Sequence, residues 1–590
     1  MNFSVFNDLS WLEAPHSFAR SGDLVVSERL YLFWTLNSWL QRSFDLEEPA
    51  QRNGYLLWWL KSGRREFHCD PFLAPDAYEY WRGQVNEVES LQDLPVTRLA
   101  YLLWWGRKDV QRSYPLSTPE CCERFVDWYM DWGVKTARLP LRMALAPNYW
   151  EEPSSAPGLT RLQLLLWEKY DDLRQRFDIN TPEGHDSYLA WFAENGDAVV
   201  DALPEQRPAI SPKPRTIPAG EFERGGLNVV GFVRGELGVG EDVRMAAASL
   251  RAAGMDFALV DAPIHSASRS EDDRAAEHLA QAPRYLANLF YLPCVETTRL
   301  FMVHGPECFL GRYNIAGWQW ELPRWPRPLE PAFKLVQEVW SSSNFTAHAA
   351  AEVSPVPVRV MPMAVTVDET PDYGRDYYGL PQNRFCFAFV FDSLSKYARK
   401  NPFGLLDAFK LAFERTRDDV ALVVKAMNAN GDDPVWKAFM AQAELDQRIK
   451  VINAVYSRAE ILGLFNCCDA VVSLHRSEGF GRTLAEAMLL GKPVVASNYS
   501  GNVDFTTPET AFMVEGRTVP VEPWEYHFWQ DQVWFDPDMG HAAEQMRACV
   551  DQPALAARLA EAGKRTIQDM YNPLTVGRNY QRRLAELGLI

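Results

Sequence analysis

From residue 225 onward, short apolar runs alternate with longer stretches of helical periodicity. In the first series the apolar run LNVVGFV is followed by the helical stretch EDVRMAAASLRAAG and the apolar run FALVDAP. In the second series the order is the same, with FCFAFVFD, NPFGLLDAFKLAFERT and VALVVKA. Buried strands that alternate with amphipathic helices predict parallel α/β units whose sheets are covered on both faces. Because the series begins twice, near Leu227 and near Phe385, we expect two doubly wound domains in tandem.

Ligands of doubly wound sheets bind beyond the carboxyl ends of the strands. We interpret the apolar runs VVGFV, FMV, FAFVF and VVSL as strands whose following loops line such clefts. RLFMVHGP would then place His304 at the end of a strand. A histidine there could hydrogen-bond or orient a reacting group, or it could be a satisfied structural histidine.

The first 200 residues are rich in aromatic side chains, with 13 of the 21 tryptophans. The phrase Tyr-Leu-x-Trp begins at Tyr31, Tyr55, Tyr101 and Tyr188, and its two best copies lie 46 residues apart. Aromatic residues at helical spacing predict amphipathic helices stacked through one aromatic stripe, in a repeat or bundle. These aromatics form either a core or a docking surface for a protein partner, a membrane or a glycan.

A proline-rich segment separates the aromatic region from the α/β region. Residues 203–224 contain five prolines, which block helices and strand ladders and stiffen a linker. The predicted boundaries are a helical domain at 1–202, this linker, Rossmann-like domains at 225–370 and 371–540, and C-terminal helices at 541–590.

Composition excludes several classes of protein. With 60 basic and 78 acidic side chains the net charge is −18, so we do not expect nucleic acid as a partner. The nine cysteines lack metal-ligand spacing, which favours a reducing compartment. Asp8 and Glu13 interrupt any signal peptide, and no apolar run is long enough to span a bilayer. We expect a cytoplasmic protein, whose membrane contact would be peripheral at the inner face.

The most informative segment is SEGFGRTLAEAMLLGKPVVAS, which follows the strand DAVVSL. Gly479 and Gly481 lead into a helix, whose free N–H groups and dipole attract an anion such as a diphosphate. Glu478 precedes this turn and Glu486 follows eight positions later. One carboxylate can therefore face the group carried by the phosphate, while the other accepts hydroxyl donors from the ribose side.

A basic pair follows the strand FCFAFVFD. Arg399 and Lys400 in SLSKYARKNP precede a predicted helix, and Ser395 lies between strand and pair, where it would line the cleft. Two permanent cations would stabilise the negative charge that develops on an anionic leaving group, which fits a metal-independent transfer. The alternative is a solvated basic helix start, although cations oppose the helix dipole there.

A glycine loop connects LNVVGFV to the next predicted helix. Gly238 and Gly240 keep this loop small, so its backbone could face donor phosphates across the cleft.

Taken together, these segments resemble retaining glycosyltransferases of family GT4, which have the GT-B fold. The motif Glu-x7-Glu is present as Glu478 and Glu486, and RKNP is similar to a bacterial variant, with Leu394 where the commoner form has arginine. The resemblance covers residues 225–590. It implies a nucleotide-sugar donor in the second Rossmann-like domain, with Glu478 on the donor sugar, Glu486 on the ribose, and neither metal nor other cofactor. The implied diphosphate ligands are the backbone amides of Gly479, Phe480, Gly481, Arg482 and Thr483.

The resemblance also covers the first α/β domain, which would bind the acceptor. The segment that contains Trp320 and Glu321 is similar to a WEL…P segment of the family, so both residues are predicted on the acceptor side. In GT-B folds a terminal helix crosses back onto the first domain, and VGRNYQRRLAELGLI is the candidate.

The function implied is transfer of a hexose from a GDP- or UDP-linked sugar to a hydroxyl with retention. The expected setting is bacterial surface polysaccharide, lipopolysaccharide or glycoprotein assembly, with a glycan, lipid-linked or protein acceptor. Alternatives are a nucleotide-sugar epimerase or phosphorylase of the same fold, and a non-catalytic scaffold or binding protein.

Overall fold

The computed structural model describes residues 4–16, 25–63, 80–85, 96–134, 150–201, 222–264, 270–367 and 373–590. The chain divides into two compact units, residues 8–215 and residues 1–7 together with 216–590. Most of the predicted linker lies outside the described residues, and a strand already begins at Glu223. Within those ranges, no helix combines the length and apolar character needed to cross a bilayer.

The unit at residues 8–215 is helical and rich in aromatic residues, as predicted. Its described α-helices occur in three sets of three. In each set the first helix begins after a hydroxyl cap (Ser27, Thr97 or Thr160), and the third begins with proline at its first position. The bounds are Glu28–Thr35, Ser38–Ser43 and Pro49–Trp58; Arg98–Trp105, Lys108–Ser113 and Pro119–Trp128; Arg161–Lys169, Asp171–Arg176 and Pro182–Asp201.

One hydrogen bond recurs in all three sets. The indole Nε1 in the first helix donates to the backbone carbonyl of an aromatic residue ten positions later, at 2.8–2.9 Å. These pairs are Trp34 with Phe44, Trp104 with Tyr114, and Trp167 with Phe177. The repeat is therefore a three-helix set, spaced by 70 and then 63 residues.

The four copies of Tyr-Leu-x-Trp are not equivalent in this repeat. Tyr31 and Tyr101 lie in first helices, whereas Tyr55 and Tyr188 lie in third helices. The two copies 46 residues apart therefore lie in a third helix and in the first helix of the next set. The tyrosines of the third helices, Tyr55 and Tyr188, are fully buried, whereas Tyr101 in a first helix is partly exposed.

The unit at residues 216–590 contains two parallel six-stranded sheets, which confirms the predicted pair of Rossmann-like domains. The first sheet has the order β2-β1-β3-β4-β5-β6 and the second β12-β11-β10-β7-β8-β9. An antiparallel hairpin, β13–β14, follows the second sheet. The strands are β1 Glu223–Gly231, β2 Asp256–Asp261, β3 Tyr285–Tyr291, β4 Tyr313–Ala316, β5 Glu338–Ser341, β6 Val358–Val360, β7 Phe385–Asp392, β8 Val420–Met427, β9 Ile449–Asn453, β10 Ala470–Ser473, β11 Val494–Ser497, β12 Phe512–Val514, β13 Gly516–Pro520 and β14 Val533–Pro537.

Helices cover both faces of these sheets. Along β7, Phe387 and Phe389 pack towards one face, while Cys386 and Ala388 pack towards the other, as period-two alternation requires. The described helices of this unit are Gly238–Ala252, Cys294–His304, Asn344–Ala351, Gly374–Tyr377, Tyr397–Lys400, Pro402–Ala412, Pro434–Ala443, Arg458–Cys467, Arg482–Leu489, Met539–Asp551, Pro553–Met570 and Pro573–Leu587.

The strand predicted at RLFMVHGP is wrong, because this segment ends the Cys294–His304 helix. The third strand of the first sheet is instead β3, whose seven residues are all buried. The buried residues of this helix include Cys294, Thr297, Thr298 and Phe301, whose spacing of three and four residues is helical. This spacing was present in the sequence.

The last helix, Pro573–Leu587, packs on the first Rossmann-like domain. The Tyr580 hydroxyl lies 2.7 Å from that of Tyr291, and Arg583 pairs with the buried Glu338 at 2.6 Å. A Cβ at Gly577 would lie 2.0 Å from the Ser249 carbonyl oxygen, so only glycine permits this approach.

Candidate active site

Glu478 lies in the loop between β10 and the Arg482–Leu489 helix. Its backbone N–H donates to Ser500 Oγ at 2.8 Å, and Arg399 Nη1 donates to the carbonyl of the preceding residue, Ser477, at 2.9 Å. Ser500 has a left-handed φ of 74°, a strained conformation for a non-glycine residue. The loop is therefore fixed from two sides.

The Glu478 carboxylate is held by both predicted cations. Lys400 Nζ donates to one carboxylate oxygen, and Arg399 Nη1 lies 3.3 Å from the other. Burial alone would raise the pKa of Glu478, but Lys400 and Arg399 outweigh it and hold this pKa at about 2. Two cations against one carboxylate leave the cluster with an excess positive charge.

The basic pair is held by the start of the next helix. Asn401, in the left-handed region at φ 55°, caps the Pro402–Ala412 helix and donates from Nδ2 to the Leu474 carbonyl at 2.9 Å. Arg399 Nε donates to the Ser395 carbonyl at 3.2 Å. Ser395, predicted to line the cleft, thus holds Arg399 through its backbone. Lys400 is largely removed from water, and this burial lowers its pKa.

The Arg482–Leu489 helix begins without a side-chain cap. Gly481 occupies the N-cap position with φ 95°, which a residue with a Cβ rarely adopts. The first N–H groups of such a helix have no intrahelical acceptor. Thr483, predicted to contribute its amide, lies in this first turn and is partly exposed. The helix start therefore provides donors for an anion.

Two residues before the helix have different roles. Gly479 is held from the first domain, because Ser343 Oγ donates to its carbonyl at 2.6 Å. The Phe480 side chain packs in the core, with ring centroids 5.2 Å from Phe505 and 5.6 Å from Tyr571. The prediction for Phe480 concerned its backbone amide, and the side chain is occupied by this packing.

Glu486 is buried and forms an ion pair that the sequence did not suggest. Its Oε1 accepts from Arg458 Nη1 at 2.7 Å. Arg458 also donates from Nη2 to the Thr366 carbonyl at 2.7 Å, and its Nε lies 3.3 Å from Glu241 of the first domain. The predicted ribose ligand is therefore part of a bridge between the domains.

A second bridge lies beside the first, since Arg482 donates to Asp242. Burial would raise the pKa of Glu241, but neighbouring arginines, Arg458 foremost, hold it at about 2. For Asp242 burial prevails and its pKa is raised. We call this group the ionic contact; its members are Glu241, Asp242, Arg458, Arg482 and Glu486.

The domains also meet through aromatic side chains. Tyr526, in the loop between β13 and β14, donates from its hydroxyl to Glu321 Oε2 at 2.8 Å. The Trp320 ring centroid lies 6.0 Å from that of Tyr526 and 6.2 Å from that of Phe528. We call Trp320, Glu321, Tyr526 and Phe528 the aromatic contact.

The aromatic contact adjoins the Glu478 cluster. The Arg399 guanidinium carbon lies 6.0 Å from the Tyr526 ring centroid, and Ser477 Oγ donates to the Glu321 carbonyl. Trp320 itself is 7% exposed and donates from Nε1 to the Arg324 carbonyl at 2.7 Å. Trp320 therefore packs against Tyr526 and Phe528 in the protein interior, whereas Glu321 lies next to the cluster of Glu478, Arg399 and Lys400.

Two predicted residues, His304 and Gly240, lie elsewhere or act otherwise. His304 is an exposed residue at the end of a helix, and among the described residues none of the bonds that hold Glu478 involves it. Gly240 is needed for packing, because a Cβ there would lie 2.1 Å from the Gly235 carbonyl oxygen. A Cβ at Gly238 would meet no atom within 4 Å in the described structure, and the role of Gly238 towards a ligand stays a prediction.

Sequence reasoning missed several side chains of this site. Arg458, Asp242 and Tyr526 join segments far apart in the chain, and no local pattern marks them. His475 is fully buried between Ser473 and Asn502, with its Nε2 at 2.9 Å from Asn502 Oδ1, and this burial lowers its pKa. The aromatic cluster EPWEYHFW around Tyr526 was the only visible signal.

Residues 387–566 match the family described as "Glycosyl transferases group 1". This span contains Arg399, Lys400, Glu478 and Glu486, together with the helix start between the two glutamates. The second Rossmann-like domain therefore carries a glycosyl transferase group 1 domain. No curated protein sequence matches the chain.

Three solved structures illustrate the likeness of the fold. Anabaena Alr3699/HepE in complex with UDP and glucose is 16% identical with a TM-score of 0.46, over 62% of this chain and 100% of that one. Sucrose-phosphate synthase (tll1590) from Thermosynechococcus elongatus is 14% identical with a TM-score of 0.44, over 61% and 99%. A glycosyltransferase from Rickettsia africae ESF-5 is 15% identical with a TM-score of 0.43, over 62% and 99%. Since one fold hosts many activities, function depends on the site.

Proposed function

We propose that this chain is a retaining, GT4-like glycosyltransferase that transfers a hexose from a GDP- or UDP-linked sugar to an acceptor hydroxyl. One observation carries the proposal above all others. Glu478, Lys400 and Arg399 form a cluster with excess positive charge beside an uncapped helix start, inside a glycosyl transferase group 1 domain.

The donor would bind along this cluster. Its diphosphate would meet the first-turn amides near Gly481 and Thr483 together with the two cations, which favour anions for the same electrostatic reason. The sugar would lie beside Glu478, which stays ionised and accepts hydrogen bonds from sugar hydroxyls. The ribose would lie at Glu486, sharing that carboxylate with Arg458.

In the proposed reaction, the bond between the anomeric carbon and the outer phosphate oxygen breaks, and its electron pair stays on the phosphate. Arg399 and Lys400 stabilise the charge that develops there, which would make the transfer metal-independent. The acceptor oxygen bonds to the anomeric carbon from the face that the phosphate leaves. Its proton passes to the departing phosphate oxygen, so that configuration is retained.

The acceptor would approach from the side of the first Rossmann-like domain. Glu321 lies beside the Glu478 cluster, where its carboxylate would accept a hydrogen bond from the acceptor hydroxyl. We propose bacterial surface polysaccharide, lipopolysaccharide or glycoprotein assembly as the setting, in the cytoplasm at the inner membrane face. The helical unit would serve there as a docking surface.

The test is donor turnover in full-length protein, measured as nucleoside diphosphate released from UDP- and GDP-linked hexoses with and without acceptor glycans. Glu478→Gln and Lys400→Ala should each reduce turnover by about 100- to 1,000-fold, because each removes charge next to the reacting bond. Lys437→Ala is the matched control, since Lys437 is exposed and pairs only with the exposed Asp432 at 3.5 Å. Unchanged turnover in either cluster variant would overturn the proposal.

A further inference from the structure

Lys425 is a buried cation that the proposed mechanism does not use. It lies near the carboxyl end of β8 and is 2% exposed. Within the described ranges no acceptor lies at hydrogen-bond or ion-pair distance from its Nζ. The nearest recorded contact is the Tyr456 ring, whose centroid lies 5.4 Å from Nζ.

An ammonium group in this position is costly for the fold. Burial removes most of the water around a cation, and the recorded neighbour of Lys425 within the described ranges is an aromatic ring, although its Nζ keeps a small access to solvent. Burial lowers the pKa of Lys425 to about 8, against the opposing effect of Asp392 and Glu460, so the charged form still dominates at neutral pH. The site therefore holds a donor that lacks an acceptor.

The position of Lys425 relates it to the donor site. In β8 it pairs with Val390 of β7 and Ile452 of β9, next to the edge where doubly wound sheets bind ligands. Tyr456 is two residues before Arg458, which binds Glu486, the proposed ribose ligand, at 2.7 Å. Because a nucleoside base is bonded directly to the ribose, a ribose at Glu486 would bring its base close to this segment, and the inference places that base against the Lys425–Tyr456 pair.

The chemistry of an ammonium group discriminates between bases. Lysine has three donors and no acceptor. Uracil, thymine and guanine carry an exocyclic carbonyl oxygen, whereas adenine carries an amino group on the corresponding edge. A carbonyl oxygen would supply the acceptor that Lys425 lacks, while an amino group would leave the buried cation facing another donor.

We propose that Lys425 determines base specificity, donating from Nζ to the exocyclic carbonyl of uracil, thymine or guanine and selecting against adenine, while the Tyr456 ring packs on the base. The inference rests on the proposed function and names the base class of its donor.

The experiment is calorimetric titration of the full chain with UDP, GDP, dTDP and ADP, for the wild type, Lys425→Met and Lys450→Met. The wild type should bind at least one keto-base diphosphate about tenfold or more tightly than ADP. Lys425→Met should weaken that binding by about 10- to 100-fold and leave ADP unchanged, as loss of one charged hydrogen bond predicts. Lys450 is the matched control, because this lysine of β9 already donates to the Gly379 carbonyl at 2.9 Å.

Folding of the variant is checked independently. Lys425→Met removes an unpaired buried charge and fills the same space, so the melting temperature of the ligand-free protein should not fall. Two results would overturn this inference alone. One is that the wild type and Lys425→Met bind the keto-base diphosphates with equal affinity; the other is that the wild type binds ADP as tightly as UDP, GDP and dTDP. Failure of all four diphosphates to bind the wild type would overturn the proposed function with it.

Discussion

Two of the contacts between the Rossmann-like domains have opposite character. In the ionic contact, carboxylates of the Gly238–Ala252 helix face guanidinium groups of the second domain. In the aromatic contact, the β13–β14 loop packs Tyr526 and Phe528 against Trp320. One contact depends on charge, and the other depends mainly on buried area.

This difference has a consequence for ligand binding. Phosphates and ribose hydroxyls compete for the same donors and acceptors that form the ionic contact, so its pairs can be exchanged for contacts with a polar ligand. The aromatic contact offers one hydrogen bond and several ring faces, which a charged ligand does not replace. We therefore expect donor binding to rearrange the ionic contact while the aromatic contact stays in place.

The largest expected effect on stability is that of Arg458→Ala. This substitution leaves the buried Glu486 without its ion-pair partner, whereas Glu241 keeps Arg244 and Arg274, and breaking such a buried pair costs about 3 kcal/mol or more. Denaturant unfolding monitored by tryptophan fluorescence measures the change. Arg417→Ala is the control, since Arg417 and Asp419 form an exposed pair worth about 0.2–1 kcal/mol. Equal losses in both variants would contradict the charge dependence of the ionic contact.

Acid should weaken the charged regions selectively. The folded-state pKa of Glu478 and of Glu241 is about 2, below the ordinary value of 4.5. Each carboxylate therefore contributes stability that is complete above about pH 4.5 and is lost as the pH falls towards 2. Unfolding midpoints in urea at pH 7, 5, 4 and 3 should fall in the wild type.

The same series in two variants separates the two contacts. Glu478→Gln lacks one of these carboxylates and should show a smaller fall, whereas Tyr526→Phe should follow the wild type. Parallel curves for all three proteins would show that acid acts through other groups.

The smallest effect is expected for Tyr526→Phe at neutral pH. The ring and its packing on Trp320 remain, and only the hydrogen bond to Glu321 is lost. The expected decrease in the free energy of unfolding is about 1 kcal/mol, measured by the same denaturant assay. A loss as large as that of Arg458→Ala would mean that the aromatic contact also depends on its polar group.

The sequence predicted those features that are encoded within one short segment. Gly481, Glu478 and Glu486 are neighbours along the chain, and the left-handed turn before the helix follows from the glycine. Arg399 and Lys400 were predicted as a pair, and the structure brings them onto Glu478, 78 residues away. His304 was misplaced because an apolar run of four residues was weighted above the helical spacing that begins at Cys294.

By itself, the sequence determined where strands and helices form, because hydrophobic periodicity acts over a few residues. Only the tertiary structure decided which charges meet. Arg482 reaches Asp242 across 240 residues, and Tyr526 reaches Glu321 across 205. It also decided that Lys425 has no acceptor, and that the aromatic phrases belong to two different helices. Pairing and burial depend on which distant segments fold together, and a short stretch of sequence does not contain that information.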